Sequence, residues 1–381
     1  ILKGNKISYS KINSLLLSSF LLFYSSFAMA EYKVALMYPG TSKDLSWSNA
    51  VFDGAMNAKA SDSEISIETV ELLNDPQTFE QQGVAFAAQG YDLIIMAHGA
   101  MVDPAITVAS NFPDSKVALF PHHPSKETAA AQPNNLYWVD IAQHNANFFA
   151  GALAALMSEN GSIGSLNGFD FPALTRQAET FHLGARCINS EIKFSGQYIN
   201  TWTDTAIAKA AALAMYGNGV DVILSATDSA VYGIIQAAAE MKQNGKQKWV
   251  VPSYYESQLL NPEVVLTSAI HGLSYATETL IKDAKAGKIG EKAFVDFNVL
   301  NNPEISAPLY DSIKGMLSAE KLKAYEDLVA KVKDGSITIP DETTGNNTVG
   351  SVGSGGSVIL SLIIRLLIII LCERPYTGIS A

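Results

Sequence analysis

Short apolar, β-branched runs alternate along this chain with longer segments whose apolar positions recur at helical spacing. The strand-like runs are Tyr32–Tyr38, Ile65–Leu72, Tyr91–Ala97, Lys116–Phe120, Leu136–Ile141, Ser162–Asn167, Lys193–Ile199, Val220–Ala226, Lys248–Tyr255, Val264–Ile270 and Ala293–Val299. Between them lie Ala-rich amphipathic stretches such as Asn145–Glu159 and Thr205–Gly219. The second of these ends in Gly217 and Gly219, which suit a helix stop. Ser318–Val332 has the pattern of a last helix, capped by Ser318. Alternation of this kind predicts an α/β fold with mainly parallel sheets covered by helices on both faces.

There are too many such units for one compact sheet, so two lobes are expected. Residues 31–142 and 272–308 form the first, and 143–271 with 309–339 the second. The length of 381 residues, 48% of them hydrophobic, is ample for two cores. The formal charge of -11 argues against a nucleic-acid partner, which rewards basic patches.

The two ends read differently from the body. Lys3, Lys6 and Lys11 precede the apolar Leu15–Phe27, and Ala28–Ala30 then offers small residues before Glu31. That is the pattern of a secretory signal peptide over residues 1–30. No Cys follows the apolar run, so a lipid-anchored start is not supported. Pro340–Ser357 reads as a flexible linker with a glycosylation sequon at Asn346–Thr348. Val358–Leu371 is apolar but shorter than the ~20 residues of a spanning helix and carries Arg365. It reads as an interfacial membrane tether or as sequence without a globular role. Cys187 and Cys372 read as one buried thiol and one tail residue rather than a disulfide framework.

In open parallel sheets, ligands sit beyond the carboxyl ends of the strands. The residues found there are Asp44, Ser46, Trp47 and Ser48 after the first run, and His98 after the third. His122 and His123 follow the fourth; Phe169, Asp170 and Phe171 follow the sixth. Trp202 and Asp204, then Asp228, then Tyr254 and Glu256 follow the later ones. Aromatic rings among small polar groups at one sheet edge suit a cleft for a flat, polar small molecule. Helix capping is the plainer local account of Asp170, Asp204 and Asp228. The chain carries no G-x-S-x-G, P-loop, G-x-G-x-x-G or H-E-x-x-H pattern. His122-His123 lacks the spacing of a metal ligand set. No enzyme activity, cofactor or metal is expected.

Several stretches, in order and spacing, resemble the basic membrane protein (Bmp/PnrA-like, Med-type) family of type I periplasmic solute-binding proteins. They are "DLSWSNAVFDG" (Asp44–Gly54), Gly90–Asp114, Phe148–Gly168, Phe181–Asp204, Gly219–Ala238 and Asn261–Gly272. The resemblance implies two lobes closing on a purine nucleoside or nucleobase, and an ABC transporter permease as partner. It also implies a periplasmic or extracellular location. The family motif D-x-S-F-N is matched by Asp44, Ser46 and Trp47, with Trp in place of Phe and Ser48 in place of Asn. The family's ribose-holding aspartate falls at Tyr254, and its lysine after "LTSAI" at His271. Those departures put a free base or another flat heterocycle beside a nucleoside as the expected ligand. The resulting expectation has Trp47 and Phe171 or Trp202 sandwiching the ring. Asp228, Ser46, Ser48 and Gln143 then hydrogen-bond its edge, while His98, Tyr254, Glu256 and His271 line the remainder. A ligand-sensing ectodomain tethered by the C-terminal apolar segment is the alternative.

Overall fold

A computed structural model describes residues 31–121 and 126–340. The signal-peptide, linker, apolar-tail, Cys372 and His122-His123 expectations lie outside the described residues. Among the described residues, no helix is long and apolar enough to cross a membrane.

The chain begins with β1 (Tyr32–Met37), α1 (Trp47–Ser61), β2 (Ile65–Val70), α2 (Pro76–Ala88), β3 (Leu93–Met96) and α3 (Val102–Asn111). Then come β4 (Lys116–Leu119), α4 (Lys126–Ala131) and β5 (Leu136–Asp140). With the late strand β10 (Phe294–Asp296) they form a six-stranded parallel sheet of order β10-β5-β4-β3-β1-β2. The residues of β3 and β5 are buried throughout, as strands covered on both faces must be. One core holds Val34, Val51, Ile95 and Phe120, with Leu273 and Leu280 from α9 (Leu273–Lys285); the other holds Phe79, Ile94, Val108 and Trp138.

The second lobe contains α5 (His144–Met157), β6 (Ser162–Asn167), α6 (Pro172–Ile188), β7 (Lys193–Tyr198), α7 (Thr205–Gly217), β8 (Val222–Ala226), α8 (Val231–Gln243) and β9 (Trp249–Pro252). Its parallel sheet has the order β7-β6-β8-β9. Ile305, Ala307 and Tyr310 join its core, with Ile313 of the short α10 (Asp311–Lys314) and Tyr325 and Val332 of α11 (Ala319–Lys333). The chain therefore passes between lobes three times: after β5, before α9 and after β10. Helices α5 and α6 approach so closely that a Cβ on Gly151 would lie 1.8 Å from the Phe181 carbonyl oxygen, and one on Gly184 1.9 Å from that of Phe148.

Two expectations are corrected here. Val264–Ile270 is not a strand: it touches β9 only through isolated bridges, Val250 with Val265 and Ser253 with Ala269. Three residue steps on one side face four on the other, so the register slips by one between the two bridges and they do not join into a regular ladder. Cys187, on α6, is disulfide-bonded rather than a free thiol; separation along the chain says nothing about which sulfurs meet in space.

Candidate functional site

The loop after β1 is built by its own side chains. Asp44 accepts from the backbone N–H groups of Ser46 (2.8 Å), Asn49 (3.0 Å) and Ser48 (3.2 Å), folding the entry to α1 around one carboxylate. Ser48 is buried and its hydroxyl accepts from the Gly40 N–H at 2.9 Å. Glu71 holds the same loop from outside, through the Ser42 N–H at 2.8 Å and the Tyr38 hydroxyl at 3.1 Å. The loop delivers Trp47 to the first turn of α1, with its indole N–H donated to the Ala97 carbonyl at the end of β3 at 2.9 Å. Trp47 is only 7% exposed. Its ring neighbours are Phe120, tilted at 5.7 Å, and Tyr254, edge-on at 5.4 Å.

Tyr254 comes from the exit of β9, so the Trp47 contact joins the lobes. Two further contacts do the same. The Ser46 hydroxyl donates to Asp228 Oδ1 at 2.8 Å. The Arg176 guanidinium, on α6, grips Asp140, at the end of β5, through two bonds of 2.8 and 3.0 Å. Both of those side chains are buried. Burial opposes the charge on Asp140, but Arg176 outweighs it and holds the carboxyl down at about 2.

Around Tyr254 lies a chain of buried polar groups. Its hydroxyl oxygen accepts from Gln177 Nε2 at 3.0 Å, and its ring meets His271 edge-on at 4.8 Å. His271 Nε2 stands 3.4 Å from Asn147 Nδ2, which also donates to the Gln143 carbonyl at 3.1 Å. An amide nitrogen can only donate, so His271 accepts at Nε2 and carries its proton on Nδ1. Burial, then the nearby Arg176 and His144 charges, push the His271 ring down to about 3, so it is neutral.

Within the protein, His271 Nδ1, Gln143 Oε1, Asn147 Oδ1 and Gln177 Oε1 are all buried without a hydrogen-bond partner. So are Asn167 Oδ1 and Ser253 Oγ, at the carboxyl ends of β6 and β9. Buried polar atoms are normally satisfied, so this concentration of orphaned atoms sets the junction apart from the rest of the described core. Backbone strain gathers there as well. Leu45, Ala142, Asp228 and Tyr254 have φ values of 52°, 33°, 43° and 80°, in the left-handed region that side-chain-bearing residues avoid.

The structure thus brings together Asp44, Ser46, Trp47, Asp228, Tyr254, His271 and Gln143. It puts other expected residues elsewhere. Ser48 is used up inside its loop. His98 is half-buried and packs edge-on at 5.8 Å against Phe79, a residue of the core on the opposite sheet face from Trp47. Asp204 caps α7 through the Ala206 and Ile207 N–H groups and is exposed. Glu256 ties its own loop to Ser268, Tyr310 and the Gln258 N–H. Phe171 is 37% exposed and stacks on Phe169 at 6.0 Å, and Trp202 leans on Phe169 at 5.0 Å. These three rings form a shelf beside the junction, with Trp202 packed on the Trp47 cluster. Capping accounts for Asp204 but not for Asp228, which turns to Ser46, nor for Asp170, since Phe171 holds the cap position of α6.

Gln177, Asn147, Arg176 and Asp140 were not expected from sequence. A signal existed: Gln143, His144, Asn145 and Asn147 open a helix that is otherwise wholly apolar, and all four are buried.

Known proteins share this architecture. A solved solute-binding protein of an ABC transporter system from Aeropyrum pernix K1 aligns with a TM-score of 0.69 at 18% identity, over 82% of this chain and 94% of its own. A transcriptional activator of the comK gene from Bacillus halodurans aligns at 0.64 and 19% identity, over 81% and 99%. Among curated sequences, basic membrane protein A of Borreliella burgdorferi is 26% identical over 81% of this chain and 87% of its own length. The ABC transporter nucleoside-binding protein BmpA of Lactococcus lactis is 24% identical over 67% and 72%. A purine-binding protein of Brucella abortus is 28% identical over 56% and 59%. The family model described as ABC transporter substrate-binding protein PnrA-like matches residues 31–343, and the chain belongs to that family, Bmp.

Proposed function

We propose that this chain is the extracytoplasmic solute-binding component of an ABC importer, and that it holds a purine base or similar flat heterocycle between its lobes. One observation carries the reading: the unpartnered buried atoms of Gln143, Asn147, Gln177 and His271 surround the Trp47–Tyr254 contact at the lobe junction. They offer amide acceptors and an imidazole N–H, a mixed and neutral edge suited to ring nitrogens and an exocyclic amine. Trp47, Phe120 and Tyr254 supply the apolar wall. The names of the nucleoside-binding and purine-binding relatives favour the same ligand class. Tyr254 and His271 are buried and neutral, which favours a free base over a nucleoside. Binding would draw the lobes together, because only the closed form lets both touch the ligand, and a permease would read that form.

Mass spectrometry of small molecules released on denaturing the purified protein is expected to yield a purine. In calorimetric titration, adenine is expected to bind at least as tightly as adenosine. Trp47→Ala should weaken adenine binding roughly ten- to a hundredfold, as loss of an aromatic contact with a base does, while Trp47→Phe keeps most of the affinity. Equal affinity for wild type and Trp47→Ala would remove Trp47 from the ligand's wall.

A further inference from the structure

Ser46 is bracketed by two carboxylates from opposite lobes. Its N–H donates to Asp44 Oδ1 at 2.8 Å, within its own lobe, and its hydroxyl donates to Asp228 Oδ1, across the junction, at 2.8 Å. The two acids are not equivalent. Asp44 is held by three backbone N–H groups, which offset part of the burial that raises its carboxyl. Asp228 has the Ser46 hydroxyl and sits on a strained, left-handed backbone at the start of a 3-10 turn that leads into α8. Both carboxylates are half-buried, and bringing the lobes together sets Asp228 against a second carboxylate through the Ser46 they share.

We propose that lobe closure takes up one proton from solvent onto the Asp228 carboxyl, so that the closed, ligand-holding form gains as pH falls. The inference rests on the reading that the lobes open and close around a ligand. The ionisable groups acting on Asp228 come from two elements. Asp44, on the β1–α1 loop, adds its negative charge; Tyr254, at the exit of β9, is held protonated by its own burial. Trp202, whose carbonyl accepts from the Ala230 N–H, brings no charge from the β7–α7 loop. Desolvation first, and the Asp44 charge second, push Asp228 up to about 7 in the closed form, against the pull of the bonds from the Ser46 hydroxyl and the Trp47 N–H.

The sign follows from linkage. The closed form binds the proton more tightly than the open form, where Asp228 has the ordinary carboxylate value of ~3.9. Closure is therefore favoured below the ordinary value, loses strength as pH rises towards about 7 and is flat above that. Between pH 8 and pH 6 the closed-to-open ratio should rise about tenfold.

Small-angle X-ray scattering of ligand-free protein from pH 5.5 to 8.5 tests this without any ligand. The wild type should compact as pH falls. Asp228→Asn should show the same radius at every pH, and Asp44→Asn should shift the transition to lower pH. A wild-type radius independent of pH would overturn the proposal, as would an Asp228→Asn profile that still tracks the wild type. The two readings can fail separately. Purine binding with pH-independent closure leaves the transport reading standing, and pH-dependent closure without purine binding leaves the proton coupling standing.

Discussion

Gly184→Ala is expected to cost the second lobe its native packing, with a loss on the order of 5 kcal/mol and a collapse of the urea midpoint. The methyl group would enter the carbonyl of Phe148 at 1.9 Å, and the reciprocal change at Gly151 would meet the carbonyl of Phe181 at 1.8 Å. Both obstacles are backbone, so no side-chain rotation relieves them, and the helices must separate. Overpacking a core typically costs ~1–3 kcal/mol because side chains shift; here α5 and α6 carry Phe148, Phe149, Leu153 and Phe181 into the lobe core, and separation opens all of it. The separation would also displace Arg176, Gln177 and Asn147, which ride on the same two helices. Equilibrium unfolding followed by tryptophan fluorescence and by circular dichroism checks the result. A midpoint close to wild type for either glycine variant would show that the crossing can relax.

Much of the architecture could be read from periodicity, because each lobe repeats the same physical problem. A strand covered on both faces needs an unbroken apolar run, and β3 and β5 supply it. Val264–Ile270 looked the same and is not a strand, because composition is blind to register. The site was legible only in part, for a related reason. Trp47, Ser46, Asp228 and Tyr254 follow strands, so the carboxyl-end rule finds them. That rule cannot distinguish a side chain aimed across the junction from one consumed by its own loop, and so Ser48, Asp204 and Glu256 were gathered with them. Gln177 and Asn147 lie in helices, where polar residues ordinarily face water. Only the burial of α5 and α6 against each other and against the first lobe turns them inward.

Arg176→Leu is expected to destabilise the protein by about 3–5 kcal/mol at pH 7, the usual result of breaking a buried ion pair from one side. Asp140 would stay buried with its main countercharge gone. The pH dependence should then reverse. In the wild type, desolvation raises the Asp140 carboxyl but the Arg176 charge and hydrogen bonds lower it further, to about 2. Its stabilising contribution is present above the ordinary carboxylate value of ~3.9 and is lost as pH falls from there through about 2. Without Arg176, desolvation prevails and the carboxyl rises above its ordinary value. The variant should then gain stability relative to wild type as pH falls from 7 towards 5. Arg176→Leu/Asp140→Leu should recover most of the loss, since removing both partners leaves no charge to bury. Urea unfolding of the three proteins at pH 5 and pH 7 measures all of this. A single variant as stable as wild type would mean that the pair contributes nothing net. A double variant no better than the single would mean that the loss comes from packing around the guanidinium rather than from the stranded carboxylate. Because the pair joins α6 of one lobe to β5 of the other, recovered stability in the double variant need not bring back the wild-type closed form. Comparing its adenine affinity with its urea midpoint would separate what the ion pair does for folding from what it does for holding the lobes together.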